Sequence, residues 1–514
     1  MSELNRLNTS MPRGRYAAFR KPFEIRGDRA AASLAARVSI VLLFVGLAAA
    51  VGVAIPLSPI IAVSLVAGTA LLLLLIFRPR WSMYAALFLS ITALPGFVPV
   101  TIYAPGITIQ LFEPFLFIAL IYALFKLKGP RSVDSSFVMF LVLLAAGLGV
   151  GVANGANIPK IIYDCRPLVE GAAALFIASR VAHNWAPRAW LNVIRLSLWV
   201  SAAVTFAGAT LGFAVVGRTE AASLDLGAET GDATRLITAA TFPALAVLCG
   251  VVALAIAGRV NGRRSWPYVL PALTVVVLSF SRNSLLAVAI AVIFALVASR
   301  STRAGFKSVA LVGGTVLVFV ALVAVGPTLA SLPGGAWINL QVTSYGDRVL
   351  SGLSAEAQAA DSSIQYRDIE DVYLLEAVRT SPVVGHGFGY AYKPPSGQSD
   401  FLLNYAPYYA HNFYLWLLAK TGVLGGVLFA FVVIPPLLRV LRSASNAALA
   451  AAAGLASMLA VSFVAPIPLG GASSILFGAL VGFVTVKSKS YAEYGTLNAH
   501  RPDVPRTGNQ LTVS

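Results

Sequence analysis

Apolar residues in this chain fall in long, nearly unbroken runs, without the one-sided stripe of a soluble helix or the alternation of a strand. Runs of about 17–22 residues are long enough to cross a hydrocarbon core as helices. About fourteen can be placed, near 38–55, 58–77, 81–98, 110–127, 136–153, 167–183, 190–216, 235–257, 267–281, 283–299, 308–326, 415–438, 446–465 and 469–486. The pattern predicts an all-α polytopic membrane protein with about 12–14 transmembrane helices and one large outer loop containing short helices. A spanning barrel is excluded, because it requires segments of about ten residues with alternating polarity.

The polar breaks set the sidedness. With residues 1–37 cytoplasmic and the runs alternating, the inner loops hold Arg78 and Arg80, Lys126, Lys128 and Arg131, Arg180 and Arg188, Arg259, Arg263 and Arg264, Arg300, Arg303 and Lys307, Arg439 and Arg442, and Lys487 and Lys489. Basic inner loops are what membrane insertion favours. The chain then divides into a basic cytoplasmic tail over 1–37, about 11 membrane helices over 38–326, a large outer loop over 327–410, about 3 membrane helices over 411–486, and a cytoplasmic tail over 487–514. Both termini face the cytoplasm in this reading.

Composition agrees. The 514 residues are 58% hydrophobic and 11% charged, with a mean hydropathy of +0.80. A soluble domain has roughly a quarter of its residues charged. The net charge of +17 does not indicate a nucleic-acid partner, because much of the excess lies in the basic tail and in loops flanking apolar runs. That tail is long for the charged part of a signal peptide, so the first apolar run reads as an uncleaved span. Cys165 and Cys249 are far apart, and neither a disulfide framework nor a metal site is implied.

The loop over 327–410 is where chemistry is sought. It holds 8 of the chain's 21 acidic residues, and long charged loops among short ones commonly carry function. Within it, SSIQYRDIEDVYLLEAVRTSP reads as an amphipathic helix with Ile369, Val372 and Tyr373 on one face, lying on the membrane surface or capping the bundle. VVGHGFGY follows, and Gly385, Gly387 and Gly389 suit either a plain turn or a backbone that approaches a ligand.

Arginine on the outer side runs against the insertion trend and is therefore informative. Arg166, Arg218, Arg235, Arg282, Arg348, Arg367 and Arg379 qualify. Arg282 interrupts an apolar stretch beside Ser279, Ser281 and Asn283, with no acidic residue nearby in sequence. Its partner is distant protein or an anionic ligand, and the ligand is favoured over a hairpin cap. Arg235 opens an apolar run and reads equally as a snorkelling interface residue. Arg367 can pair with Glu370 and Asp371 along a helix, and Arg166 with Glu170. Glu113 is a buried hydrogen-bonded carboxylate or a cavity residue. His411 and Asn412 stand where the loop enters the next apolar run. Guanidinium groups bind phosphate oxygens bidentately, and a histidine can take a proton from a hydroxyl. Together they suit group transfer from a lipid-linked diphosphate.

Four stretches, in order, resemble the O-antigen ligase and polymerase family of bacterial membrane glycosyltransferases. They are ATRLITAATFPALAVL, LSFSRNSLLAVAI, SSIQYRDIEDVYLLEAVRTSPVVGHGFGYAY and YAHNFYLWLLAKTGVLGGVLF, and together they cover about 235–435. The resemblance implies an enzyme without metal or cofactor that takes glycan from undecaprenyl diphosphate on the periplasmic side of the inner membrane, with inversion by direct displacement. Carried over by position, Arg235 and Arg282 hold the diphosphate and His411 handles the acceptor hydroxyl. Arg367, Asn412, Ser281, Gly385 and Gly387 are the expected substrate-binding positions. The acceptor is a glycan or a lipid-linked chain, and membrane lipid, a chain-length regulator and a flippase of the same pathway are the expected partners. A polymerase is favoured over a ligase acting on lipid A core or protein, and both over a flippase, because no internal repeat is evident. Two positions depart from the family: Lys420 stands where many relatives have an acidic residue, and Asn283 where a small residue is common.

Overall fold

The computed structural model describes residues 78–104, 107–128, 131–184, 187–221, 233–260, 262–351, 354–442 and 445–485. The runs expected at 38–55 and 58–77, and both tails, lie outside the described residues.

The described chain is an all-α polytopic membrane protein. Four helices are long and apolar enough to cross a membrane by length and composition, Ser135–Ala153, Ala189–Leu211, Thr302–Thr328 and Phe413–Arg442. Four more are apolar but shorter: Thr241–Ile256, Asn283–Ser299, Asn446–Val461 and Gly471–Thr485. In the most apolar stretch of Thr302–Thr328 only 6% is buried, so this helix offers its apolar side chains outward nearly all round, as a lipid-facing helix does.

Helix association in lipid depends on close packing by small residues, since apolar side chains gain little by leaving apolar surroundings. Gly471–Thr485 lies against Ile158–Asn184 in this way. A Cβ on Gly478 would stand 1.9 Å from the Gly171 carbonyl oxygen, and one on Gly482 2.5 Å from that of Leu175. Backbone meets backbone there. The buried centre, with Phe388, Phe413, Trp416, Phe429 and Phe477, is filled by aromatic rings in contact.

Two expectations need correction. The run at 81–98 is helical only over Arg80–Ile91, and two antiparallel hairpins interrupt the helices, Thr101–Ala104 with Ile107–Gln110 and Gly217–Ala221 with Thr234–Thr238. Arg235 therefore lies on a strand, and the helix begins only at Thr241. The expected helix of the outer loop forms, as Ser362–Thr380; Glu370, Leu374 and Ala377 pack inward, and Ile369, Val372 and Tyr373 lie exposed. A hydrophobic stripe alone does not identify the packed face when a charged residue on the other face has buried partners.

The helix Phe413–Arg442 is broken at Gly422, which has φ 63° and ψ −170°. Such a break orphans backbone groups that must find partners. Here the glycine loop supplies them. The amides of His386 and Gly387 donate to the carbonyls of Ala419 and Lys420 at 3.0 and 2.7 Å. Those of Val423 and Leu424 donate to Pro382 and Val383 at 2.9 and 3.1 Å. On its other side the loop meets the helix Arg131–Ala153, where the Phe388 amide donates to the Gly147 carbonyl at 2.9 Å. Lys420 and Asp164, both buried, complete the joint: Lys420 Nζ donates to Asp164 Oδ2 at 2.5 Å and to the Tyr390 carbonyl at 2.6 Å. Asp164 Oδ2 also accepts from the Gly389 amide at 2.7 Å. Glu113 proves to be a hydrogen-bonded carboxylate, accepting from Arg166 Nε at 2.6 Å and the Gln110 amide at 3.1 Å.

Candidate active site

His411 ends the outer loop, one residue before the cap of the kinked helix. Its position is fixed from the loop helix Ser362–Thr380. Glu370 Oε2 accepts from the His411 amide at 2.7 Å and faces His411 Nδ1 at 2.9 Å. The other oxygen, Oε1, accepts from Lys393 Nζ at 2.5 Å and the Tyr392 hydroxyl at 2.9 Å. Glu370 is only 2% exposed. Burial alone would raise its pKa, but hydrogen bonds from His411 and Lys393 outweigh it and hold the carboxyl down at about 2. An ionised carboxylate only accepts, so Nδ1 of His411 carries the proton. In the neutral imidazole Nε2 is then the free base. The rings of Tyr366 and Tyr409 meet the imidazole edge-on, at 6.0 and 5.5 Å between centroids. The histidine side chain remains 30% exposed.

The arginines gather beside this pair. Arg282 precedes the helix Asn283–Ser299, in a turn where Phe280 is buried with φ 43°. That backbone is sparsely populated for a bulky residue. The strand carrying Arg235 lies against the same turn: the Leu236 amide donates to the Leu278 carbonyl at 3.0 Å, and Arg235 Nε to that of Ser279 at 3.1 Å. Arg282 forms a short ion pair with Asp361. Asp361 caps the loop helix, accepting from the Ser363 amide at 2.9 Å. Its burial would raise the carboxyl, but the bonds from Arg282 and Ser363 hold it below its ordinary value.

Arg367 lies within electrostatic reach of Asp361, Arg282, Glu370 and Tyr409. Burial, the largest influence, weakens its hold on its charge. Its Nε is buried without a hydrogen-bond partner among the described residues. Arg218, on the hairpin, is within reach of the Tyr409 hydroxyl. Thus Arg367 is within reach of both the Arg282–Asp361 pair and Glu370, the partner of His411, while Arg218 reaches Tyr409 beside His411 and Arg235 braces the turn that presents Arg282. Guanidinium groups so placed can receive a multiply charged oxyanion beside a base.

Other expected positions have visible structural tasks. Asn412 Oδ1 accepts from the Leu415 amide at 3.3 Å, and its Nδ2 donates to Asp371 at 3.3 Å. It caps the kinked helix and ties it to the loop helix. The Ser281 carbonyl accepts from the Ser284 amide and hydroxyl at 3.1 and 2.6 Å. Gly385 and Gly387, with φ 68° and 85°, are buried against backbone. A Cβ would stand 2.4 Å from the Lys420 carbonyl carbon at the first and 2.0 Å from the Gly151 nitrogen at the second. Both glycines therefore serve the joint with the helices. Sequence reasoning missed Glu370, Lys393, Tyr392 and Asp361 as site residues. Glu370 had been visible only as a helix partner for Arg367, and nothing local marks the others.

These features place a histidine base, held by a buried carboxylate, near guanidinium groups. Residues 267–430 match the family model described as O-Antigen ligase. The family implies glycosyl transfer of the ligase or polymerase type. The match includes Arg282, Arg367, Glu370 and His411 but begins after Arg235. No curated protein matches the chain.

Proposed function

We propose that the protein is a metal-independent glycosyltransferase of the bacterial inner membrane that moves glycan from undecaprenyl diphosphate to an acceptor hydroxyl at the periplasmic face, and that it is a polymerase of exopolysaccharide, capsule or O-antigen repeat units. The observation that carries this reading is the His411–Glu370 pair standing beside converging Arg282 and Arg367. Nε2 of His411 takes the proton of the acceptor hydroxyl as its oxygen attacks the anomeric carbon. The bond from that carbon to the diphosphate oxygen breaks, and the electron pair leaves with the diphosphate. Attack opposite the leaving group inverts the anomeric centre. Arg282 and Arg367 stabilise the charge that develops on the leaving group, with Arg235 supporting the turn. Glu370 keeps the imidazole in the proton-accepting tautomer and stabilises the imidazolium formed. In this reading both termini face the cytoplasm.

A ligase has the same donor chemistry and a different acceptor, so glycan analysis of a strain lacking the protein distinguishes the two. Single repeat units accumulating on lipid identify a polymerase. Full-length glycan left on lipid identifies a ligase. An unchanged glycan profile removes both readings.

A further inference from the structure

A second concentration of positive charge lies at the opposite end of the helices that carry the site. The helix Asn283–Ser299 starts beside Arg282 and has 17 residues, so its ends are about 25 Å apart at ~1.5 Å per residue. At the far end, the ends of Thr241–Ile256, Asn283–Ser299 and Phe413–Arg442 meet the start of Thr302–Ala330 around a cleft of about 330 Å³. That is the lower range of ligand-sized pockets, roughly 300–1,000 Å³. Arg259, Arg303, Lys307 and Arg442 line it together with Ser299 and Ser301, and none of the described lining residues is acidic.

Cations at helix C-termini and in inner loops are common, and each alone would be an interface anchor. Two observations go further. The four come from separate segments and line one concave volume, so that a multiply charged anion seated there would meet several of them at once. Lys307 is drawn over the backbone of Gly258, its Nζ only 2.5 Å from where a Cβ would stand, in a left-handed turn with φ 69°. The helices that form the cleft also expose Val297, Phe306, Val309 and Leu438 close to it in sequence. A basic pocket bordered by outward apolar helix faces matches a lipid headgroup with its acyl chains alongside.

We propose that this cleft binds a multiply charged phosphate group, supplied by the headgroup of an anionic phospholipid. This does not depend on the glycosyl-transfer reading. The test uses the full-length protein in nanodiscs of phosphatidylcholine with and without cardiolipin, reading lipid retention by native mass spectrometry and the thermal midpoint. Wild type should retain cardiolipin in preference to phosphatidylcholine and melt higher with it. Arg303→Gln/Lys307→Gln should weaken that preference roughly tenfold or more. Lys126→Gln/Lys128→Gln, an exposed basic pair elsewhere, should leave it unchanged. Added inorganic pyrophosphate separates the two sources. If it alone raises the midpoint of wild type and not of Arg303→Gln/Lys307→Gln, the phosphate site stands and its ligand is soluble. Equal loss in both double variants reduces the effect to general surface charge and overturns the site. Wild type indifferent to both cardiolipin and pyrophosphate also overturns it.

Discussion

His411 is attached to Glu370 twice, by its backbone amide and by Nδ1, through a single carboxylate oxygen. One contact sets where the residue stands and the other sets which ring nitrogen is free. Glu370→Gln can present an NH₂ group to Nδ1 and reverse the tautomer. Its turnover should fall roughly 10²-fold or more, within the range contributed by a positioned acid–base group, with little change in KM for the lipid donor. His411→Ala should abolish product while the protein still inserts. Polymer of normal yield and length from His411→Ala would remove the residue from the chemistry. A purely structural Glu370 would lower protein yield and leave turnover per molecule intact.

The same carboxylate gives an acid-sensitive contribution to stability. Its folded pKa, about 2, is below the ordinary glutamate value. A depressed carboxylate stabilises the fold at pH above the ordinary value of about 4.3 and loses that contribution as pH falls towards the folded value. The difference in thermal midpoint between wild type and Glu370→Gln should be largest near about pH 6 and shrink between about pH 4 and 2. A difference that does not vary with pH would mean the carboxyl is not held ionised by its partners.

Arg282 shares its guanidinium with Asp361, which links it to the end of the loop helix. Lysine keeps the charge but lacks the planar fork. Arg282→Lys should lower turnover by roughly 10–10³-fold, the effect of losing an oriented charge donor. Arg367→Gln should raise KM for the diphosphate donor. Wild-type kinetics for Arg282→Lys would restrict Arg282 to fastening the hairpin turn.

Lys420 should matter for folding rather than turnover. Lys420→Met leaves Asp164 buried without its counter-charge, which typically costs about 3–5 kcal/mol. Less protein should reach the membrane, and what does should melt lower. Lys420→Met/Asp164→Asn, which removes both charges and keeps an acceptor for the Gly389 amide, should recover much of the loss. A single variant as stable as wild type would show that the pair contributes nothing net.

Much of the helical architecture was legible because lipid crossing imposes long apolar runs that propensity cannot hide. The turn bearing Arg282 and the position of His411 at the mouth of a helix were legible for the same reason: polar residues interrupting apolar sequence are conspicuous. The site's completion was not. Glu370 lies 41 residues from His411 and Asp361 lies 79 from Arg282, and no local periodicity joins them. The hairpin under Arg235 escaped because its residues TRLIT run directly into an apolar helix. Lys420 looked misplaced in sequence because its partner, Asp164, is on a helix 256 residues away.

The glycine loop and the broken helix share one set of backbone hydrogen bonds, so neither can be lifted away without undoing the other. Opening the loop at residues 382–390 would cost those backbone hydrogen bonds. A strain on one would be felt by the other, so the loop over 382–390 and the kinked helix are expected to behave as a single mechanical part.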